Sequence, residues 1–483
     1  MTQTISGLYM SPLEILLVLG AVVLVVARWI PPVARPPVTI ASALAVVVSG
    51  VALGVVGLRW QVALVLVAAA LAFPFAVSPV LRARTGKPAR RARWWLALPG
   101  SVACLGLVAA GPVSAWAFPV PEFPKPSGEF PVGTRVMEWT DPERAEPATA
   151  AADDRRTVVA QLWYPAQKAA HGAQSARYLG RTEREARIVS DAFADSVGVP
   201  GFLLDGVASA RTRSVSGAAV AEGNGRFPIV LFSPGLGGVR TQNTAWAEEL
   251  ASHGYVVVAL DHPYDSAAVT LADGRTVHKK IEATGDRATD DRRAAGWAAV
   301  RAADLRFVLT QLTRVDRGQG AGPLAGRLDA GRVAVTGHSI GGAAALLAAR
   351  QDRRFDAVIN VDGFPRDPAP RPFHQPVLAL TQDVTKDIDP DYLPRLAKTL
   401  AFSTATTYRL SVPGAVHLTF TDAPLYLPPV PALVGSLDRT EGPRVTAAAS
   451  LAFLDSTVRQ KRGDLGAALS RYGDLSVRAR HPR

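Results

Sequence analysis

The chain has 483 residues, of which 48% are apolar, and it carries a formal net charge of +12 at pH 7. This length allows two or three domains. The basic excess lies mainly in the apolar front part, because residues 1–118 hold nine Lys and Arg residues and one acid. That distribution indicates membrane topology and disfavours nucleic-acid binding, which would need a basic stripe interleaved with aromatic residues. The single cysteine, Cys104, excludes an intramolecular disulfide.

Four apolar runs in the front part are each close to the ~20 residues that a helix needs to cross a bilayer. They are Leu13–Trp29, Val38–Gly57, Val62–Val80 and Trp95–Phe118. Buried helices of a soluble protein are the weaker interpretation, because these runs lack polar faces. We therefore predict that residues 1–118 form an all-α region of four transmembrane helices.

Basic residues in the loops predict how these helices are oriented. The loop between the third and fourth runs contains six of them: Arg82, Arg84, Lys87, Arg90, Arg91 and Arg93. Arg28 and Arg35 lie between the first two runs, whereas Arg59 stands alone between the second and third. Since basic loops remain in the cytoplasm, we predict a multi-pass protein of the cytoplasmic membrane. Everything after Phe118 then lies on the extracytoplasmic side.

The junction after the fourth run allows two interpretations. A basic lead, an apolar core and Ala115-Trp116-Ala117 resemble an internal signal with a cleavage site, but we favour an uncut fourth helix. Residues 119–132 follow and contain five prolines. Such a segment is extended and semi-rigid, so it is predicted to hold the next domain away from the membrane.

Short apolar segments alternate with helical segments between residues 133 and 460. The predicted strands are Thr157–Trp163, Phe227–Phe232, Tyr255–Leu260, Val333–Thr336, Ala357–Val361, Val377–Leu380 and Thr406–Ser411. The predicted helices are Thr244–Ser252, Arg292–Arg314 and Val445–Val458. This alternation is typical of an α/β fold with a doubly wound, mostly parallel sheet that helices cover on both faces.

Two polar segments do not follow this alternation. Residues 167–225 show no strand core and are interpreted either as a lid over the site or as an irregular surface insertion. Residues 461–483 are interpreted as a basic, poorly ordered C-terminal tail. We therefore predict one folded α/β domain over residues 133–460.

The sequence Gly337-His338-Ser339-Ile340-Gly341 lies between the predicted strand Val333–Thr336 and a segment rich in Ala and Leu. Gly-x-Ser-x-Gly between a strand and a helix is typical of a nucleophile elbow, a sharp turn that exposes the serine. Glycines suit both outer positions, because a Cβ there would collide with the neighbouring strand or helix. We predict Ser339 as a catalytic nucleophile, with a structural turn as the alternative.

A serine hydroxyl is a weak nucleophile and needs a neighbouring base, usually histidine. Among the histidines at or beyond the elbow, His417 lies in a loop just after the last predicted strand, where it can reach Ser339. The acid that orients this base follows a strand at the same edge of the sheet. Asp362 and Asp383 both meet that condition, and position alone does not separate them.

Two backbone N–H groups should stabilise the tetrahedral oxyanion. One comes from Ile340, directly after the nucleophile, and the other from Leu236 in the loop Ser233–Gly238. A phosphate-binding loop is the rival interpretation of these glycines, but no Gly-Lys-Ser/Thr follows them. His262 and Asp265 follow a core strand and either line the pocket or brace the loop.

No cofactor and no metal are predicted. Three alternating acids are the nearest approach to a cation site, but they lack the glycine of a calcium-binding EF-hand loop. They are Asp387, Asp389 and Asp391.

Six motifs occur together in one order along the chain. They are Leu162-Trp-Tyr-Pro165, Phe232-Ser-Pro-Gly-Leu-Gly237, Asp261-His262 with Asp265-Ser266-Ala267, Gly337-His-Ser-Ile-Gly341, Val361-Asp362-Gly-Phe-Pro365 and Gly414-Ala-Val-His417-Leu-Thr-Phe-Thr-Asp422. As a set they resemble the plasma-type platelet-activating-factor acetylhydrolase family of α/β-hydrolases. The resemblance covers roughly residues 120–460.

The resemblance implies an α/β-hydrolase fold with Ser339 as nucleophile and His417 as base. It favours Asp362 over Asp383 as the acid, and it implies two oxyanion donors, the N–H groups of Leu236 and Ile340. Enzymes of that family cleave short or oxidised acyl chains from phospholipids without a metal. The chain departs from the family pattern at its four-helix front part and at Pro234, where many members have histidine.

We therefore expect a membrane-embedded serine carboxylic-ester hydrolase that acts on esters, including phospholipids. A cutinase-like polyester hydrolase or a peptidase on the same fold is one alternative. A catalytically silent hydrolase fold that binds a membrane partner is another. Nucleic acid is not expected as a partner, and the sequence predicts no particular oligomeric state.

Overall fold

The computed structural model describes residues 7, 9–86, 93–170, 172–223, 225–282, 284, 286–319, 323–367, 371–383 and 389–479. Lys87, Arg90 and Arg91 of the predicted basic loop, Asp387 of the acidic triplet and the end of the predicted tail lie outside these residues. Contacts divide the chain into two compact units. One is Met1–Val120 with Phe202–Gly206, and the other is Pro121–Gly201 with Val207–Arg483.

The first unit is built from long apolar helices. They are α1 (Pro12–Val26), continued by a 3-10 turn at Ala27–Trp29, then α2 (Arg35–Val56), α3 (Trp60–Arg84) and α4 (Trp94–Ala117). Within the described residues, these four helices are long and apolar enough to cross a membrane. Large apolar side chains such as Val55 and Phe75 remain exposed on them, at 84% and 66%. An apolar surface of this kind suits lipid better than water.

The described part of the second unit contains thirteen strands. They are β1 (Val132–Ala145), β2 (Arg155–Pro165), β3 (Ser175–Arg177), β4 (Arg211–Ser216), β5 (Phe227–Ser233), β6 (Val256–Asp261), β7 (Ala268–Thr270), β8 (Thr276–His278), β9 (Leu328–His338), β10 (Ala357–Val361), β11 (Val377–Thr381), β12 (Thr407–Ser411) and β13 (Asp474–Arg478). Eleven form one sheet in the order β13-β12-β11-β10-β9-β5-β6-β2-β1-β4-β3, and β7 pairs with β8 separately. The six strands from β12 to β6 run parallel, flanked by antiparallel β13 and β2.

Helices connect these strands. They are α5 (Glu183–Ser196), α6 (Asp205–Ser209), α7 (Thr244–Ser252), α8 (Arg287–Asp316), α9 (Ile340–Gln351), α10 (Tyr392–Leu400), α11 (Pro431–Val434), α12 (Glu441–Thr457) and α13 (Leu465–Leu469), with 3-10 turns at Gly201–Leu204, His417–Phe420 and Ala423–Leu425. The predicted α/β fold with a mostly parallel sheet is confirmed.

The central strands are buried on both faces. Along β5, Ile229 and Leu231 join one apolar cluster with α8 and α9, while Val230 and Phe232 join a second cluster with α7 and α12. Successive side chains of a strand point to opposite faces, so a strand between two helical layers is apolar throughout. This burial explains why β5 was recognisable in the sequence as a continuous apolar run.

The segment 167–225 differs from its prediction. We predict no strand there, but the structure places β3 and β4 in it, and they extend the sheet beyond β1. These strands are short and their exposed faces are polar, so they lack the apolar run of a central strand. A covering role for the rest of the segment stays a prediction.

The predicted tail also differs. Instead of a disordered segment, α13 buries Leu465 and Leu469 in the second apolar cluster, and β13 pairs with β12. Asp464 caps α13, because its side chain accepts the Ala467 N–H at 2.9 Å. β13 therefore covers β12 and becomes the outermost strand on that side of the sheet.

Replacing Leu469, which is fully buried, by alanine should lower the melting temperature of the full-length protein in detergent by several degrees. Truncating a buried leucine typically costs about 2–5 kcal/mol of folding stability. Val477→Ala, at a side chain 49% exposed in β13, is the control and should change the melting temperature little. Equal, small effects of both substitutions on tryptophan-monitored unfolding would show that α13 does not pack on the domain.

Candidate active site

Ser339 lies in a sharp turn between β9 and α9. Its backbone has φ 57° and ψ −124°, a strained combination for a residue with a side chain. Neighbouring strands hold the turn, since Ser339 N–H donates to Val361 O at 2.9 Å. A Cβ on Gly341 would overlap the Ser233 carbonyl, and one on Gly337 would overlap the Gly341 backbone. Both glycines are therefore required by the close approach of β5, β9 and α9.

Asp362 follows β10 directly and is almost fully buried. Its Oδ2 accepts the His417 Nδ1–H at 2.6 Å, and its Oδ1 accepts from Gln382 N–H and from the Tyr392 hydroxyl, both at 3.1 Å. Burial would raise the pKa of this carboxyl, but the hydrogen bond and the charge of His417 outweigh it, so the pKa lies below its usual value. Asp362 is thus an ionised carboxylate in the neutral range.

His417 begins the 3-10 turn that follows the β12 loop, and its side chain is 43% exposed. Because Nδ1 carries the proton donated to Asp362, Nε2 is left with a lone pair that can accept a proton. In the described residues, no Ser339 Oγ to His417 Nε2 hydrogen bond is formed. Such bonds are often long before substrate binds and shorten in the reacting complex.

Asp383, the other acid left open by position, has different partners. Its side chain accepts the Gly414 N–H at 3.1 Å, and its own N–H donates to Ala415 O at 3.0 Å. Asp383 therefore braces the loop that leads to His417, whereas the structure brings Asp362 to the imidazole itself.

A chain of hydrogen bonds links the loop after β5 to His417. Gly235 N–H donates to Gln242 Oε1 at 2.9 Å, and Gln242 Nε2 lies 3.0 Å from His338 Nδ1. His338 Nε2 lies 2.9 Å from the carbonyl oxygen of His417. A carbonyl only accepts, so the proton of His338 is on Nε2, and Nδ1 accepts from Gln242. Burial, followed by the nearby charge of His417, lowers the pKa of His338 to about 3, so it is neutral.

The two predicted oxyanion donors lie at the ends of neighbouring elements. Leu236 lies in the loop after β5, and Ile340 is the first residue of α9. Within the described chain, neither N–H donates to another protein group. A helix N-terminus also carries partial positive charge, which favours an anion.

The side chains around the site that the sequence did not single out include Tyr392, which donates to Asp362, and also Gln242 and Arg301. Gln242 has no distinguishing signal, since it lies in a loop without a motif. Arg301 has one, because it lies on α8 four residues before Leu305 and three after Ala298, both buried. An arginine at a core position of a helix is rarely buried without a specific partner. Among the described residues, no group of three or more His, Cys, Asp or Glu is arranged to hold a metal ion.

This sheet, with a strained serine turn and an acid–histidine pair at its carboxyl edge, defines an α/β-hydrolase. The family model described as platelet-activating factor acetylhydrolase, isoform II, matches residues 116–468. The chain belongs to that family, and the resemblance drawn from its motifs is confirmed.

Similar proteins are found among curated relatives and solved structures. The platelet-activating factor acetylhydrolase of Cavia porcellus is 28% identical over 47% of this chain and 57% of the relative. A probable 1-alkyl-2-acetylglycerophosphocholine esterase of Arthroderma benhamiae is 29% identical over 50% and 58%. The chain thus matches a little over half the length of each. A ferulic acid esterase structure from Streptomyces cinnamoneus is 30% identical with a TM-score of 0.60, covering 74% of this chain and 99% of that one.

Replacing Asp362 by asparagine should lower kcat by about 10³–10⁴-fold, because the amide cannot stabilise the imidazolium or enforce its tautomer. Asp383→Asn is the matched control, since an amide oxygen can still accept the Gly414 N–H, and kcat should change less than about threefold. Steady-state hydrolysis of p-nitrophenyl butyrate measures both. If kcat fell strongly in Asp383→Asn and stayed near the wild-type value in Asp362→Asn, Asp383 rather than Asp362 would be the acid that orients His417.

Proposed function

We propose that the chain is a membrane-anchored serine carboxylic-ester hydrolase that cleaves short or oxidised acyl esters, including those of phospholipids. The 2.6 Å hydrogen bond between His417 and Asp362, at the same sheet edge as the strained Ser339, is the observation that carries the proposal. Family membership and the esterase names of the relatives support it.

In this mechanism, Ser339 Oγ attacks the ester carbonyl while His417 Nε2 takes its proton. Asp362 stabilises the imidazolium that forms, and the N–H groups of Leu236 and Ile340 bind the oxyanion. The imidazolium then protonates the leaving alcohol, which departs as the acyl-enzyme forms. Water, deprotonated by the same imidazole, releases the acid and restores Ser339.

A second substrate class also has support. The match covers 99% of the length of the ferulic acid esterase structure. This similarity favours esters of aromatic acids as substrates, hydrolysed by the same catalytic groups. Comparing a short-chain acetyl phospholipid with ethyl ferulate at equal concentrations would rank the two classes by kcat/KM. Polymer films and peptide substrates, compared in the same way, test a cutinase-like or peptidase activity.

Ser339→Ala should reduce turnover of p-nitrophenyl acetate and butyrate at least about 10³-fold, because the covalent intermediate can no longer form. Ser470→Ala, at an exposed serine of the same chain, should keep full activity. A fluorophosphonate probe should label the wild type and the Ser470→Ala control but not Ser339→Ala. Unlabelled wild-type protein would favour the silent binding module instead.

We also propose that the hydrolase unit lies outside the cytoplasm. The described helices α1 to α4 support four crossings, and the basic residues flanking the loop between α3 and α4 favour a cytoplasmic position for that loop. An even number of crossings then returns the chain to the side of its N-terminus, which carries no Lys or Arg ahead of the first run.

Single cysteines test this topology in a Cys104→Ser background. Lys168→Cys, at an exposed position of the hydrolase unit, should react with a membrane-impermeant maleimide on intact cells. Thr85→Cys, exposed at the end of α3, should react only after permeabilisation. The opposite labelling pattern would place the hydrolase in the cytoplasm.

A further inference from the structure

Arg301 is a fully buried cation beside the proposed oxyanion donors, and the proposed mechanism does not use it. Its guanidinium makes five contacts with acceptor oxygens. Nε and one terminal nitrogen reach the two carboxylate oxygens of Asp265, at 2.6 and 2.5 Å. The other contacts are with Pro234 O at 2.5 Å, Ser233 Oγ at 3.2 Å and Gly235 O at 3.0 Å. The five N–H groups of arginine are therefore all satisfied, which is the condition for burying this charge.

The two backbone contacts fix two successive peptide planes. A trans peptide directs its C=O and its N–H to opposite sides, and no described peptide bond is cis. With Pro234 O held by Arg301, the N–H of Gly235 faces away and donates to Gln242. With Gly235 O held by Arg301, the N–H of Leu236 also faces away from the guanidinium.

Other hydrogen bonds hold the far end of this loop. Gly238 N–H donates to Gly235 O at 2.9 Å, which closes a tight turn with Gly237 at φ 70°. Ala267 N–H, in the segment after β6, donates to Gly237 O at 3.0 Å. Arg301 holds the Pro234 and Gly235 end, because it projects from the long helix α8 and is fixed by Asp265 after β6.

A second polar connection reinforces the same helix face. Ser233 Oγ lies 2.9 Å from His262 Nε2, and His262 Nδ1 lies 2.8 Å from Asp304. Burial and the charge of Arg301 lower the pKa of His262 to about 4, so it is neutral and accepts from Ser233 while donating to Asp304. These three residues share the hydrogen-bond order of a catalytic triad, but all are fully buried. They therefore brace the loop and are closed to substrate.

We infer that Arg301 is a positioning residue that orients the Leu236 N–H toward the oxyanion. The inference rests on the proposed ester hydrolysis. Arg301 touches no reacting atom and acts through the peptide bond between Gly235 and Leu236. Its effect falls on the transition state rather than on the bound ester, because negative charge develops on that oxygen only as the tetrahedral intermediate forms.

Arg301→Lys tests this role, since lysine keeps the charge but offers three donors at one point in place of the planar fork. Losing one oxyanion donor typically lowers kcat about 10²–10³-fold. We expect a misplaced donor to lower kcat about 10–100-fold with KM changed less than about threefold. The inhibition constant of a trifluoromethyl ketone, which forms a tetrahedral oxyanion adduct with the serine, should rise by the same factor as kcat/KM falls.

Arg459→Lys is the matched control. Arg459 also binds two successive carbonyls, His253 O at 2.8 Å and Gly254 O at 2.5 Å, and pairs with Asp455. It lies at the amino end of β6, on the sheet edge opposite the site. Whatever this substitution costs in stability, kcat and the inhibition constant should stay within about twofold of the wild type.

Fluorophosphonate titration of the active fraction separates positioning from misfolding. If kcat per titrated site and the inhibition constant are unchanged in Arg301→Lys, the inference is overturned. If Arg301→Lys does not fold, the same measurements are made on Asp265→Asn, which keeps the guanidinium but loosens its attachment. We expect kcat of Asp265→Asn to fall by about 3–10-fold, and an unchanged kcat would overturn the inference. An inactive wild type would instead contradict the proposed function itself.

Discussion

The parallel pairing of β6, β5, β9, β10, β11 and β12 is the constraint from which the site follows. Carboxyl ends of parallel strands share one edge, so residues that follow different strands meet there although they are far apart in sequence. Ser339 follows β9, Asp362 follows β10, and His417 lies in the loop region after β12. The oxyanion loop follows β5, beside β9. β5, β9 and β10, which precede the oxyanion loop, Ser339 and Asp362, pack against apolar clusters on both faces of the sheet.

Buried polar groups then hold the loops that the strands only approximately position. The Ser339 turn needs two glycines because the backbones of β5, β9 and α9 approach so closely. The loop after β5 is held by Arg301 from one side and by Gln242 from the other. Burying a charged arginine is costly unless every N–H is satisfied. With all its N–H groups satisfied, Arg301 holds two carbonyls of the loop in fixed directions, which an apolar side chain at the same core position could not do.

The predictable and unpredictable parts of this fold differ in burial. Central strands such as β5 are apolar on both faces, so their runs were readable, and the elbow carries a motif whose spacing reflects steric limits. β3 and β4 at one end of the sheet and β13 at the other were missed because solvent exposure leaves their sequences polar. Asp362 and Asp383 could not be separated by position, since both follow neighbouring parallel strands. The family resemblance favours Asp362, and in the side-chain geometry Asp362 meets His417 whereas Asp383 meets the backbone.

The neutrality of His338 completes the electrostatic account of the proposed site. Its ring centroid lies 4.4 Å from that of His417. Two unit positive charges about 4 Å apart repel by about 4 kcal/mol at the effective dielectric typical of a protein surface. A protonated His338 would therefore oppose proton transfer to His417. Burial prevents that protonation, and the Nε2–H of the neutral ring holds the His417 carbonyl instead. His338 can thus fix the backbone of the proposed base without competing for its charge, while Asp362 stabilises that charge from the other side.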